Sequence, residues 1–148
     1  MADDRNIDPF AVIILVASIV GIILLMATAF AGFYSGMYNY YSCIFGCEYY
    51  TGGDLAAQWI VVILLIVQIV VALNDLLPNR FISIDKLELI GMILAGATLL
   101  FAFIGLGIFG ITYGFIGDRE WWAETGFYGV AIAGVINIIL FLLKFKNK

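Results

Sequence analysis

Four stretches of this chain carry no charged residue and are each long enough to cross a bilayer: residues 9–47, 55–74, 89–117 and 125–143. About 20 apolar residues in a helix span a ~30 Å hydrocarbon core, and inside lipid every backbone N–H and C=O must be bonded within the protein. The runs therefore read as four transmembrane helices, with only the part up to about residue 32 of the first run needed in lipid. Composition agrees: 64% of the 148 residues are hydrophobic and 12% charged, whereas soluble domains are about half apolar and a quarter charged. The charged segments between the runs leave no room for a soluble domain. The expected fold is an all-α membrane protein, a single four-helix bundle over residues 1–148. Its helices fall at about 9–32, 55–74, 87–114 and 125–144, with outer loops at 33–54 and 115–124.

The first run is read as a retained helix rather than a cleaved signal. Ala27-Thr28-Ala29 resembles a cleavage site, but the preceding MADDRNID is acidic and the run exceeds the ~7–15 residues of a signal core. Orientation follows from the basic residues, which stay on the cytoplasmic side of helix ends. With four crossings, Arg5, Arg80, Lys86, Lys144, Lys146 and Lys148 share one side, six of the seven basic residues, and only Arg119 lies opposite. Both termini are expected in the cytoplasm and the protein in the plasma membrane. The other side holds Glu48, Asp54, Asp118, Glu120 and Glu124, so the net charge of −4 faces outward. It also holds Cys43 and Cys47, where disulfides persist.

Residues 34–50, YSGMYNYYSCIFGCEYY, form the dominant landmark, with six of the eight tyrosines and both cysteines. A helical turn would place Cys43 and Cys47 on one face, within reach of a disulfide. Tyrosine offers large contact area at low entropic cost, so Tyr34, Tyr38, Tyr40, Tyr41, Tyr49 and Tyr50 are candidate partner contacts. Trp121 and Trp122, beside four charges in the second loop, join them as interface anchors or a docking patch.

Local signals place the helix ends. Asp8-Pro9 should open helix 1, Gly52-Gly53 marks a turn, and Asp54 can cap helix 2. Asp85 and Glu88 have capping-box spacing for helix 3, after an interfacial segment interrupted by Pro78. Helix 3 is rich in small residues, and Gly91, Ala95, Gly107, Gly110 and Gly114 are its candidate close-packing positions, Gly110 and Gly114 as a GxxxG pair. Gln68 and Asn137 are amides at depth. Each should find an interhelical partner, or else line a solute path.

Chemistry is sparse. None of the four runs contains Asp, Glu, Lys, Arg or His, the residues that mark proton relays and ion pathways. The chain has no histidine at all, which removes haem ligation by His and most metal sites. No hydroxyl or thiol has an evident base, so no catalytic residue, metal or cofactor is expected, and no nucleic-acid partner. Cys43 and Cys47 leave a thiol-disulfide redox role as one alternative. Quinone-linked four-helix thiol oxidases resemble this layout, but they use C-x-x-C with further cysteines, and here the spacing is C-x-x-x-C with none.

Four helices, cytoplasmic ends, and a larger first outer loop with two cysteines resemble the tetraspan plan of claudins and MARVEL-type proteins. The claudin mark is Gly/Asn-Leu-Trp-x-x-Cys with a second cysteine about ten residues on. Asn39-Tyr40-Tyr41-Ser42-Cys43 lacks the Trp, is one residue short, and has its second cysteine too close. The loop is about half the length that family uses for its outer β-sheet. The resemblance implies side-by-side association in the bilayer and outer loops presented to neighbours. The expected function is therefore a non-enzymatic tetraspan that self-associates or serves as a structural or accessory subunit of a membrane assembly. A small channel through the bundle is the alternative from another class.

Overall fold

Helix α1 (Pro9–Ala27) starts where the sequence places it: Asp8 Oδ1 accepts from the N–H of Phe10 at 2.9 Å and of Ala11 at 3.4 Å, and Pro9 fills the first turn. The computed structural model describes residues 7–47, 49, 51–79 and 81–147. Among these, α1 is followed by β1 (Ala31–Ser35), β2 (Tyr38–Ser42), α2 (Gly52–Leu76), α3 (Leu87–Phe109), β3 (Trp121–Ala123) and α4 (Thr125–Lys146). A π-helical segment, Gly110–Ile116, continues α3 without a break. The molecule is mostly helical, and its four long helices are apolar enough to cross a membrane, α3 together with the π segment counting as one.

Each helix runs antiparallel to the next, and the packing follows a ring: α1 on α2, α2 on α3, α3 on α4, and α4 back on α1. The burial pattern inverts that of a soluble bundle. Large aliphatic side chains such as Ile63, Ile93 and Ile132 are more than half exposed on the outside, while Ser18, Gln68, Thr98 and Asn137 are fully buried. Such an arrangement suits hydrocarbon outside and polar pairing inside.

Those four polar residues come one from each helix and join. Asn137 Nδ2 donates to Ser18 Oγ and to Gln68 Oε1, both at 2.8 Å. Gln68 Nε2 donates in turn to Thr98 Oγ1 at 2.9 Å and to the Leu64 carbonyl at 3.2 Å. Thr98 closes the set by donating to the Leu94 carbonyl at 3.0 Å. The two amides found the interhelical partners expected of them; Ser18 and Thr98 supply the rest.

The all-α expectation needs one correction: both outer loops fold into strands, giving a three-stranded antiparallel sheet in the order β2-β1-β3. Helix 1 consequently ends at Ala27, short of the expected residue 32. Thr28 caps it by donating to the Leu24 carbonyl at 2.6 Å. Beyond that point the backbone finds partners across strands instead: Phe30 N–H bonds the Ser42 carbonyl and Tyr34 N–H the Glu120 carbonyl, each at 2.8 Å. Gly36 takes φ +67° at the first position of a two-residue hairpin loop, a conformation glycine adopts freely.

Other boundaries also shift. Thr51, rather than Asp54, is the N-cap of α2, and Asp54 completes a capping box from the third helical position. The Asp85–Glu88 capping box does not form. Lys86 is the N-cap of α3, in the left-handed region at φ 66°, with no side-chain cap bond. The described residues before it, 77–79 and 81–85, are neither helical nor strand; Asn74 pins Ile82 among them, its side chain bonding both the N–H (2.7 Å) and the carbonyl (3.2 Å) of that residue. The π segment replaces the expected end of helix 3 at residue 114, and α4 extends to Lys146 rather than 144.

Candidate interaction surface

The sheet sits at the end of the bundle opposite the chain termini, and its pleat sorts the loop aromatics into two faces. Phe33, Tyr40 and Trp121 stand opposite one another on adjacent strands, and so do Gly32, Tyr41 and Trp122 one residue along. Successive side chains alternate in direction, so these two rungs point to opposite sides. The Phe33 rung faces the helices. Phe33 is buried, stacked on Tyr113 at 4.4 Å between centroids and on Tyr40 at 5.2 Å, with Phe109 and Tyr49 at its edges and the Arg119 guanidinium 5.1 Å from its ring centre. Trp121 lies flat against the π segment. A Cβ on Gly114 would come within 2.1 Å of its ring and one on Gly110 within 2.5 Å. The GxxxG pair thus seats a tryptophan of this same chain.

The opposite rung forms the outward face. Trp122 covers Gly32, where an added Cβ would meet the ring at 2.9 Å, and its Nε1 donates to Glu124 at 2.5 Å. Tyr41 meets Trp122 edge-on at 6.4 Å, and Tyr34 stands exposed beside them. At the hairpin tip Met37 and Tyr38 are 89% and 69% exposed.

The tyrosines therefore divide. Tyr34, Tyr38 and Tyr41 lie open on the sheet, whereas Tyr40 is half-buried against Phe33 and against Tyr49, which it meets at 4.3 Å and which stays exposed on its other side. Tyr50 lies outside the described residues. Trp121 seats its ring on the π segment yet stays 41% exposed, and Trp122 is half-buried at the outward rung.

Two anchors hold the sheet to α2. Ser42 Oγ donates to Asp54 Oδ2 at 2.5 Å, and Gln58 Nε2 donates to Ser42 Oγ at 3.2 Å. The same fully buried Asp54 accepts from the Thr51 N–H and hydroxyl at 2.5 and 2.6 Å. The second anchor is the disulfide. Cys43 and Cys47 are bonded, with Cα atoms 5.5 Å apart. They are brought together by a bend in which Gly46 takes φ +80°, not by a helical turn. The tip of this small ring rests Phe45 on Trp59 of α2 at 5.9 Å.

The remaining packing candidates separate in the same way. Gly91 receives the Phe141 ring, with a Cβ contact of 2.4 Å, and Ala95 is buried. Gly107 has no side chain of the described residues within 4 Å of where its Cβ would lie, so it is not a packing position within the chain; Gly105, against Ala57 and Phe30, is. Sequence reasoning missed Phe33, Ser42 and Gln58. The one available signal was Gly36-Met37 between tyrosine-alternating runs, a hairpin pattern.

At the termini end the chemistry is ionic. Lys144 Nζ lies 2.7 Å from Asp8 and bonds Asp75, tying the end of α4 to the start of α1 and the end of α2. Burial works to raise the Asp8 carboxyl. The hydrogen bond and charge of Lys144 and the N–H groups of Phe10 and Ala11 outweigh it, holding the group below its ordinary value. No protein-family profile matches this chain, and neither do any curated protein or any solved structure.

Proposed function

We propose that this is a non-enzymatic tetraspan membrane protein that self-associates or serves as a structural subunit of a membrane assembly. In this reading the sheet is the outward contact surface, both termini are cytoplasmic and the plasma membrane is its site. The observation that carries it is the outward rung. Tyr34 and Tyr41 are held in place by strand pairing, a buried anchor and a disulfide, yet they stand exposed, with the half-buried Trp122 beside them. Rigid aromatic groups of this kind lose little freedom on binding and are the usual anchors of interfaces. The basic bias of the sequence supports the orientation. A small outer sheet in the first loop also fits the claudin-like resemblance, since that family builds one there.

The channel alternative is weakened by the residues it would need. Gln68 and Asn137 bond each other and neighbouring helices, both buried away from any lumen, and of their polar atoms Asn137 Oδ1 alone has no partner among the described residues.

The test is purification in mild detergent followed by transfer to lipid nanodiscs, with mass measured on the intact particles. Assemblies larger than one copy, or a co-purifying membrane protein, are expected. Their loss in a Tyr34→Ala/Tyr41→Ala variant would assign the outward face. A strictly monomeric wild type with no companion would end this reading.

A further inference from the structure

The two edges of the sheet differ in a way that the contact-surface reading alone does not require. Strand β3 is three residues long, carries Glu120 and Glu124 at its ends with Asp118 and Arg119 just before, and is closed off by the π segment under Trp121. Charge, shortness and cover are the devices by which proteins blunt a sheet edge. Strand β2, Tyr38-Asn39-Tyr40-Tyr41-Ser42, lacks the first two: it has five residues, no charge and no proline.

The hydrogen-bond parity of β2 fixes which groups are free. Tyr34 N–H points to β3, so its neighbours Phe33 and Ser35 point to β2, where they meet Tyr40 and Tyr38. Asn39 and Tyr41 then direct their backbone N–H and C=O away from the sheet. Both residues are exposed, and no hydrogen bond to these groups is present among the described residues.

We propose that β2 is a pairing edge for the β2 strand of a second copy, joining two sheets into one antiparallel, six-stranded sheet. The strand is self-complementary for this. Centring the pair on Tyr40 sets Asn39 opposite the other copy's Tyr41, and Tyr41 opposite its Asn39. All the outward-directed groups then meet in hydrogen-bonded pairs. The neutral edge brings no like charges together, because the acidic residues of the second loop lie on β3, at the far side of each sheet. This inference rests on the contact-surface reading and names its partner.

The intact chain in nanodiscs and liposomes tests it. Directly opposite residues in such pairs have Cα atoms about 5.5 Å apart, within disulfide range. A mixture of Asn39→Cys and Tyr41→Cys copies should cross-link to each other several-fold more than either variant alone. Asn39→Pro removes an outward N–H that bonds nothing among the described residues, and should abolish the dimer while leaving helix content and the Cys43–Cys47 bond intact. If that variant folds poorly, Asn39→Lys and the cross-linking mixture decide the matter. An Asn39→Pro dimer as tight as wild type, or no preferential mixed cross-link, overturns the edge pairing while leaving the contact-surface reading standing. A different polypeptide lost on Asn39→Pro, without any self-assembly, overturns the second copy as partner. A monomeric wild type with no companion overturns both.

Discussion

The two ends of the bundle are held by different physics. At the sheet end, rings sit on glycines, strands pair, and the buried carboxylate of Asp54 is satisfied by two hydroxyls and an N–H group. At the termini end, a lysine joins two aspartates from two other helices. Shape and neutral donors fix the first, charge the second. The sheet end should therefore fail when a side chain is enlarged or an acceptor removed. The termini end should fail when a charge is lost.

The largest effect should come from Asp54→Ala. Three donors, from Ser42 and Thr51, lose their acceptor in a site without solvent, and hydrogen bonds to a charged group are worth about 1.5–3 kcal/mol each before water and relaxation recover part. We expect a loss of about 3 kcal/mol in denaturant unfolding from micelles, with the hairpin cut by protease long before the helices. A change no larger than that of an exposed substitution such as Asn39→Ala would mean that strand pairing alone holds the sheet, and the comparison would lose its clearest member.

Next should be Gly114→Ala. Its methyl group would lie inside the Trp121 ring position, and overpacking of this sort costs about 1–3 kcal/mol. Shape complementarity makes a sharper prediction than the loss itself. In a Trp121→Ala background the same substitution should cost almost nothing, so the double-mutant cycle gives a coupling of about 2 kcal/mol. Additive losses would show that Gly114 is needed for the π-helical backbone and not for the ring.

Much of the helical frame was legible in the sequence because it depends on composition over long windows. Asp8-Pro9, the four apolar runs and the two deep amides each carry their own local signal. The sheet was not legible, since β1 is written as Ala31-Gly32-Phe33-Tyr34-Ser35, the tail of an uncharged run continuous with helix 1. The local cap at Thr28 is weak as a sequence signal; the stop is fixed by Ser42, Glu120 and Gly126, which offer backbone partners from distant positions. The partner of the GxxxG pair was not legible for a related reason. Gly110 and Gly114 have the spacing of a helix-dimer motif, but whether a ring of the same chain or a second helix fills that space depends on where Trp121 lands. Sequence spacing cannot hold that information.

In the middle of the bundle, Asn137→Leu should cost about 1 kcal/mol. Hydrogen bonds between membrane helices average about 0.6 kcal/mol and reach about 1.7, and this change removes two while leaving the Gln68–Thr98 bond. Thermal unfolding in nanodiscs measures it. A loss above about 3 kcal/mol would place the polar centre, rather than the sheet end, at the head of the ranking.

The smallest effect isolates the termini end. The Asp8 carboxyl is held below its ordinary value by Lys144 and the two N–H groups it caps, against the opposing influence of burial. A group whose folded pKa is depressed stabilises the fold above its unfolded pKa, and that contribution disappears as pH falls through the folded value. Asp8 is also partly exposed, so solvent screening limits the contribution to about 1 kcal/mol. Wild type should therefore exceed Asp8→Asn in stability by that amount at neutral pH, and the two curves should converge on acidification through and below the carboxylate range. Protease cleavage should register the loss first at the α1 start and the α4 end, with Trp122 fluorescence unchanged, because the sheet end does not touch this ion pair. Curves that stay parallel down to strongly acidic pH would show that Asp8 acts through its neutral capping geometry, and the termini end would then be held by shape as the sheet end is.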